Sequence, residues 1–457
     1  MQLKKGEIIT LKIEKLALGG QGIGKWEGRV CFVNHVVPGD TVEASLTKIK
    51  PKRLEARLVK VLESSDLRVA PKCKHFEKCG GCVWQFLPYE EQLKFKEEQV
   101  RETLQHLGGF SGDEVREILG CAKPWHYRNK MEFSFGMEEE KVMLGLHLPK
   151  RRYDVFDLEE CYLCAEVAAE IVKKVRNWAN EEGLVIFDNH HQDGLLRNLI
   201  IREGKNTGEL MVNLETSENS FPCVDSFREL FKDDERITSL IWSTVMQRRG
   251  TPTYREYTTL AGRGAIFEEM NLPTGESLKF EIAPDAFFQP NTHQAEKLYA
   301  EALQAADLTG GETVYDLYCG TGTIGLFCAH QAARVVGIEI NKNAILNARE
   351  NAERNNIKNA EFFVGDTGKA LKEHALPKPD VIIVDPPRAG LQGDTPEQVA
   401  SLRAKRIVYV SCNPATLTRD LKTFTQNNYQ LEYVQPVDMF PHTYHIENVA
   451  VLTYQSK

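Results

Sequence analysis

Three short stretches in the last part of the sequence hold the residue types best suited to chemistry. They are Asp385-Pro386-Pro387-Arg388, Ser411-Cys412-Asn413-Pro414 and His445-Ile446-Glu447-Asn448. Asp385 and Cys412 each end a predicted strand, where an open α/β sheet builds its site. A thiol nucleophile near carboxylates suits a reaction that adds to an electron-poor ring and later removes a proton. Cys412 is then the nucleophile and Glu447 the base. Only a thiolate attacks, so a lowered pKa is expected for Cys412, from nearby helix and backbone donors. The prolines after Asp385 stiffen the chain and leave carbonyls free to accept bonds from a planar base.

A second motif lies just upstream. Asp316-Leu317-Tyr318-Cys319-Gly320-Thr321-Gly322-Thr323-Ile324-Gly325 places G-x-G-x-x-G between a predicted strand and helix. Glycines there let a cofactor approach the backbone, a device shared by NAD, FAD and S-adenosylmethionine folds. The surrounding acids favour S-adenosylmethionine. Asp316 precedes the loop and suits the amino-acid end of the ligand. Glu339 ends the next strand and suits ribose hydroxyls. Asp366, after the third strand, suits a place beside adenine.

Regular strand–helix alternation positions these motifs. Strands are expected at 313–317, 334–339, 360–364, 381–385 and 406–411, with helices at 293–306 and 343–355, which defines a doubly wound Rossmann-like domain over 279–457. Residues 1–62 read as five or so short strands between glycine turns, an OB-like barrel. That segment holds 12 Lys and Arg against 6 Asp and Glu, while the rest of the chain carries 45 against 59. A basic module ahead of an acidic body points to a nucleic-acid-binding domain joined to an enzyme. Residues 63–278 read as an α+β domain of strands interrupted by a helix at 165–181. A charged helix at 89–107 is expected to pack on the catalytic domain.

The 11 cysteines are unevenly placed. Cys73, Cys79 and Cys82 cluster, and Cys161 and Cys164 follow much later. Three clustered thiolates and a distant fourth can ligate a [4Fe–4S] cluster or a tetrahedral zinc. Spacing alone does not choose between Cys161 and Cys164. The pattern is neither a paired-CxxC zinc ribbon nor the CxxxCxxC of radical enzymes. No apolar run reaches the roughly 20 residues of a membrane helix, and the N-terminal residues lack a signal-peptide core. A cytoplasmic monomer is the expectation.

With these motifs assembled, the chain resembles the bacterial RNA (uracil-5-)-methyltransferases, in particular the iron–sulfur branch acting on 23S rRNA. The resemblance runs over nearly the whole chain and implies a TRAM domain at the front. It implies Cys161 as the fourth cluster ligand beside Cys73, Cys79 and Cys82. Phe288-Gln289-Pro290-Asn291 is similar to a family element that places Gln289 on the cofactor. By the same resemblance Tyr318, Glu339, Asp366 and Asp385 line the cofactor or base pocket, with Asp316, Gly320 and Gly322 of the glycine loop. Thr323 departs from members with Asn there.

The implied reaction is methyl transfer from S-adenosylmethionine to C5 of a flipped uridine, through a covalent bond between Cys412 and C6. Basic residues of the barrel, with Arg128, Lys130 and Arg388, are expected to hold the RNA. The RNA is expected to be 23S rRNA, with tRNA as the alternative. An amino-methyltransferase using the Asp-Pro-Pro turn predicts a dispensable Cys412; a redox or radical enzyme predicts turnover that needs a reductant.

Overall fold

The structure is a computed structural model. It describes residues 3–149, 151, 153–188, 190–217, 221–246, 253–373 and 376–456, apart from the side chains of 371–373. The front forms a closed barrel of β1 (Ile8–Leu16), β2 (Gly22–Trp26), β3 (Arg29–Val33), β4 (Thr41–Ile49) and β5 (Arg53–Glu63), in the order 1-2-3-5-4. Strict alternation in β1 sends Ile9, Leu11 and Ile13 inward and leaves Thr10 and Lys12 in solvent. Lys5, Lys12, Lys50, Lys52, Arg57 and Lys60 are exposed. None of them has a carboxylate partner among the described residues, which leaves their charge available to a polyanion.

The barrel leads into a long polar helix, α1 (Tyr89–Thr103), which ends in a π turn over Leu104–Gly108. The middle sheet has seven strands: β6 (Lys130–Glu138), β7 (Lys141–His147), β8 (Val155–Asp157), β9 (Leu196–Glu203), β10 (Leu210–Ser217), β11 (Ile237–Met246) and β12 (Tyr254–Gly262). The amphipathic helix α2 (Ala168–Glu181) buries Ile171, Val172, Val175 and Trp178 against that sheet, and the short α3 (Val224–Glu229) adds Phe227. The hairpin β13 (Ile266–Asn271) and β14 (Ser277–Ile282) shares its core with the catalytic domain through Met270, Leu278 and Phe280. Val100 and Leu104 of the front helix are likewise buried with the catalytic sheet.

The last sheet is built from β15 (Thr313–Leu317), β16 (Arg334–Glu339), β17 (Ala360–Val364), β18 (Val381–Val384), β19 (Arg406–Ser411), β20 (Tyr429–Val437) and β21 (Glu447–Tyr454). Its order is 17-16-15-18-19-21-20. The first five strands are parallel, and continuous apolar runs such as Val381-Ile382-Ile383-Val384 are what burial on both faces requires. Helices α4 (Thr292–Ala306), α5 (Thr323–Ala329), α6 (Lys342–Arg354), α7 (Thr367–Glu373), α8 (Thr395–Ser401) and α9 (Pro414–Gln426) accompany the strands.

The sheet departs from the wholly parallel one expected. β21 runs antiparallel between β19 and β20. This inserted strand positions the chemistry, because it carries Glu447 to the side of β19.

Candidate active site

Ser411 at the end of β19 pairs with Asn448 of β21, and Asn448 Nδ2 donates to the Ser411 carbonyl at 3.2 Å. The ladder ends at that pair: Cys412 is the residue after β19 and Glu447 the first of β21, and Glu447 is near enough to act on the Cys412 thiol. Asn413 caps α9 by accepting from the Ala415 amide at 3.0 Å, and Pro414 fills the first helical turn. Cys412 is thus fixed between a strand and a capped helix. Asp385 lies one strand away, its amide bonded to the Leu317 carbonyl at 3.2 Å.

Electrostatics tie these groups into one site. Burial pushes the half-buried Cys412 thiol up to about 11; Glu447 and Asp385 add to the rise and Arg388 opposes it. The lowered thiol expected from the sequence is therefore corrected. Burial first, with Glu447 and Asp385 adding to it, outweighs Arg388 and the backbone amide. Glu447 is 7% exposed and is held well above the carboxylate range, first by burial and then by Asp385. Asp385 is raised to about 7 by burial. Burial thus favours the neutral forms of the thiol and of both acids.

The cofactor side is built on β15 and β16. Gly322 has φ 79°, the left-handed region, and a Cβ there would lie 2.8 Å from the Phe362 ring. Gly325 must be glycine for a different reason. Its Cβ would come within 2.8 Å of Asp316 Oδ2, the atom that accepts its own amide at 2.8 Å. Asp316 is fully buried, and burial, with smaller contributions from Asp385 and Glu339, raises it to about 7 against the Gly325 amide that lowers it. Its Oδ1 has no hydrogen-bond partner among the described residues. Glu339 accepts from the Gly320 amide at 3.3 Å and the Asn341 amide at 2.8 Å.

Tyr318 sits at φ 65°, a strained conformation for a non-glycine residue, held by its amide bond to Ile338. Its phenol is bonded to Thr367 and lies near Asp366, which is exposed and starts α7. An orphaned buried carboxylate oxygen and acids that repel one another fit a positively charged ligand. S-adenosylmethionine, with its sulfonium and ammonium groups, is of that kind.

Gln289 hydrogen-bonds the Tyr299 hydroxyl, while its carbonyl accepts from Asn129 Nδ2 at 2.7 Å. Tyr299, on α4, also feels the charges of Asp385, Asp316 and Glu447. It stands where the cofactor acids meet the base. Sequence reading missed it, because a tyrosine inside an apolar helical stripe carries no separate signal. Arg388 stands close enough to affect both Cys412 and Glu447.

The cysteines lie elsewhere. Cys73, Cys79, Cys82 and Cys161 converge closely enough to raise one another's cost of ionisation. Cys161 alone is lowered, to about 6, chiefly by the Cys164 thiol. No described group of three His, Cys, Asp or Glu is placed to hold a metal ion. The chain's own residues here supply a set of soft donors around one locus, a chemical fit to a thiolate-bound centre.

The raised acids give a test of the site. Asp385 titrates near 7 when folded and near 3.8 as an ordinary aspartate, so between those values the folded state holds a proton the unfolded state has lost. Stability is present below that window and falls as pH rises through it. Asp385→Asn removes this dependence. Thermal melts should show the variant gaining roughly 2 to 4 kcal/mol on wild type between pH 4 and pH 8. An equal gap at both pH values would show that Asp385 is not a buried, protonated acid.

The glycine loop, its acids and the strand order define a methyltransferase domain. Comparison with known proteins places the chain more narrowly. The tRNA (Uracil-5-)-methyltransferase family matches residues 262–455, and the TRAM domain matches residues 2–59. An RNA methyltransferase of Clostridium tetani is 37% identical over 455 residues, 99% of this chain and 97% of that protein. One from Bacteroides thetaiotaomicron is 40% identical over 96% of this chain and 99% of its own length. Among solved structures, the Pyrococcus abyssi tRNA (uracil-54, C5)-methyltransferase in complex with S-adenosyl-L-homocysteine has a TM-score of 0.78 and 31% identity. That match covers 97% of this chain and 100% of that one. The chain belongs to the TRAM-containing RNA (uracil-5-)-methyltransferase family, and it is an S-adenosylmethionine-dependent enzyme of that kind.

Proposed function

We propose that the enzyme methylates C5 of a uridine in 23S rRNA through a covalent adduct with Cys412, and that Glu447 is the base that ends the reaction. The observation that carries this reading is that Cys412 and Glu447 flank the last pair of the β19–β21 ladder, Ser411 with Asn448, and that Glu447 acts on the Cys412 thiol. Uracil C5 is too weak a nucleophile to take a methyl group unaided. The Cys412 thiol gives up its proton to solvent, the thiolate bonds to C6, and the C5–C6 π electrons move out to make C5 enolate-like and able to take the methyl group. S-adenosylmethionine supplies the methyl group, and its positive charge suits the acids around it. Glu447 then takes the C5 proton, the C5–C6 double bond reforms, and the C6–S bond breaks to free the thiolate. Arg388 lies where it favours the anionic forms of both Cys412 and Glu447.

The barrel of residues 1–62 holds RNA by its unpaired lysines and arginines, the region 63–278 carries the cysteine locus, and 279–457 does the chemistry. Cys73, Cys79, Cys82 and Cys161 bind a [4Fe–4S] cluster in this reading. The electrostatic influence of these thiols on one another supports it. The enzyme acts as a cytoplasmic monomer. A second substrate reading, tRNA, is favoured by the likeness to the archaeal tRNA (uracil-54, C5)-methyltransferase.

Anaerobically purified protein, labelled S-adenosylmethionine, 23S rRNA fragments and a tRNA pool test this together. Label in 5-methyluridine from rRNA, with about four irons per chain, is the expected result. Label from tRNA alone would keep the mechanism and replace the substrate. Label in methylated adenine or cytosine would overturn the reaction.

A further inference from the structure

The segment leading into Glu447 is held by a helix from the far end of the chain. Tyr89, Gln92 and Lys96 lie on one face of α1, at helical spacing, and all three reach residues 438–442. Lys96 Nζ pairs with Asp438 Oδ1 at 2.6 Å and donates to the Phe440 carbonyl at 3.1 Å. Both charged side chains are 0% exposed. The Tyr89 hydroxyl donates to Asp438 Oδ2 at 2.8 Å. Gln92 accepts from the His442 amide at 2.9 Å and contacts its Nδ1 at 3.2 Å. His442 stands at φ 65°, its ring stacked on Trp125 with centroids 3.6 Å apart.

A fully buried ion pair rarely contributes more stability than apolar residues of the same size would. Its use lies in fixing one geometry. Here that geometry is a loop with a left-handed residue, five positions before the base. The same loop is gripped from α4, where Gln294 Nε2 donates to the Asp438 carbonyl at 3.0 Å and Asn291 Nδ2 donates to Met439 at 3.1 Å. Asp438 is thus fixed by its side chain and by its backbone together.

We propose that Lys96, assisted by Tyr89 and Gln92, is a positioning residue for proton removal: its ion pair with Asp438 sets the loop that aims Glu447 at the C5 proton. Lys96 touches neither substrate nor thiol. Loss of the pair therefore affects the step that needs Glu447 more than the step that needs Cys412. This inference rests on the roles given above to those two residues.

The test is a single-turnover experiment on the holoenzyme with methyl-labelled cofactor and RNA, following the protein–RNA adduct on denaturing gels. Glu447→Gln is run alongside as the reference. Lys96→Met leaves Asp438 buried and unpaired, so the double variant Lys96→Met/Asp438→Asn provides a neutral pair of similar volume, and Tyr89→Phe a milder change.

The expected result is adduct formation within about threefold of wild type and breakdown slowed about 10- to 100-fold, so that adduct accumulates. Tyr89→Phe should shift the same balance less. Breakdown at the wild-type rate in the double variant would overturn the proposal. So would formation and breakdown falling in parallel, or a Lys96 variant that fails to fold while Tyr89→Phe leaves the balance unmoved. Failure of Glu447→Gln itself to accumulate adduct would sink the base assignment, and this inference with it.

Discussion

Cys412→Ala is expected to lose methyl transfer by at least about 10⁴-fold, because no other group can make uracil C5 reactive. The groups that shift Cys412 are Glu447, Asp385 and Arg388, none of them a thiol. Binding of the cofactor should be nearly unchanged, since the acids proposed for it, Asp316, Glu339 and Asp366, lie on or just after β15, β16 and β17 and not on β19. The variant therefore separates binding from chemistry. Equilibrium binding of S-adenosylmethionine within about threefold of wild type, with no 5-methyluridine and no adduct, is the predicted pair of results. A variant that still methylates uridine at a tenth of the wild-type rate would remove the covalent route.

Glu447→Gln should behave in the opposite way. The thiol still adds and the methyl group still arrives, but the C5 proton has no acceptor. A burst of about one methyl per enzyme should precede turnover slowed about 10²- to 10⁴-fold, with adduct building up. The pH dependence follows from the same burial. Cys412 is raised to about 11 and Glu447 well above the carboxylate range, and both must be ionised to act. Turnover by the wild type should thus climb from pH 6 to pH 9 rather than peak near neutrality. A flat profile, or a variant that turns over without accumulating adduct, would assign proton removal elsewhere.

The parallel half of the catalytic sheet was legible because short apolar strands alternate with helical segments across short loops. Arg334–Glu339, Ala360–Val364 and Arg406–Ser411 fall where the pattern puts them. The final hairpin was not legible. Glu447–Tyr454 is almost wholly buried, and a continuous apolar run does not say which neighbours it takes or in which direction.

The rise in the Cys412 pKa was missed for a related reason. Its local neighbours are a helix and backbone amides, while the groups that raise it come from β18 and β21. Helix α1 showed only a charge-rich pattern. That Lys96 is buried became visible only with Asp438, 342 positions away, beside it. The cysteine pattern was plain in the sequence, whereas the mutual approach of its members depends on how two distant loops pack.

The ladder joining β19 and β21 makes the backbone separation of thiol and carboxylate a fixed length, tied at Ser411 and Asn448, to which the braced loop of residues 438–442 adds the proposed aim of the Glu447 side chain. The carboxylates that face the cofactor sit on other strands and enter that length only through Asp385. Widening the tips of β15, β16 and β17 to admit a bulkier sulfonium would therefore leave the bond-making and proton-taking atoms at their native spacing. An engineer seeking to transfer larger alkyl groups to RNA should leave Ser411 and Asn448 alone and work on the opposite half of the sheet.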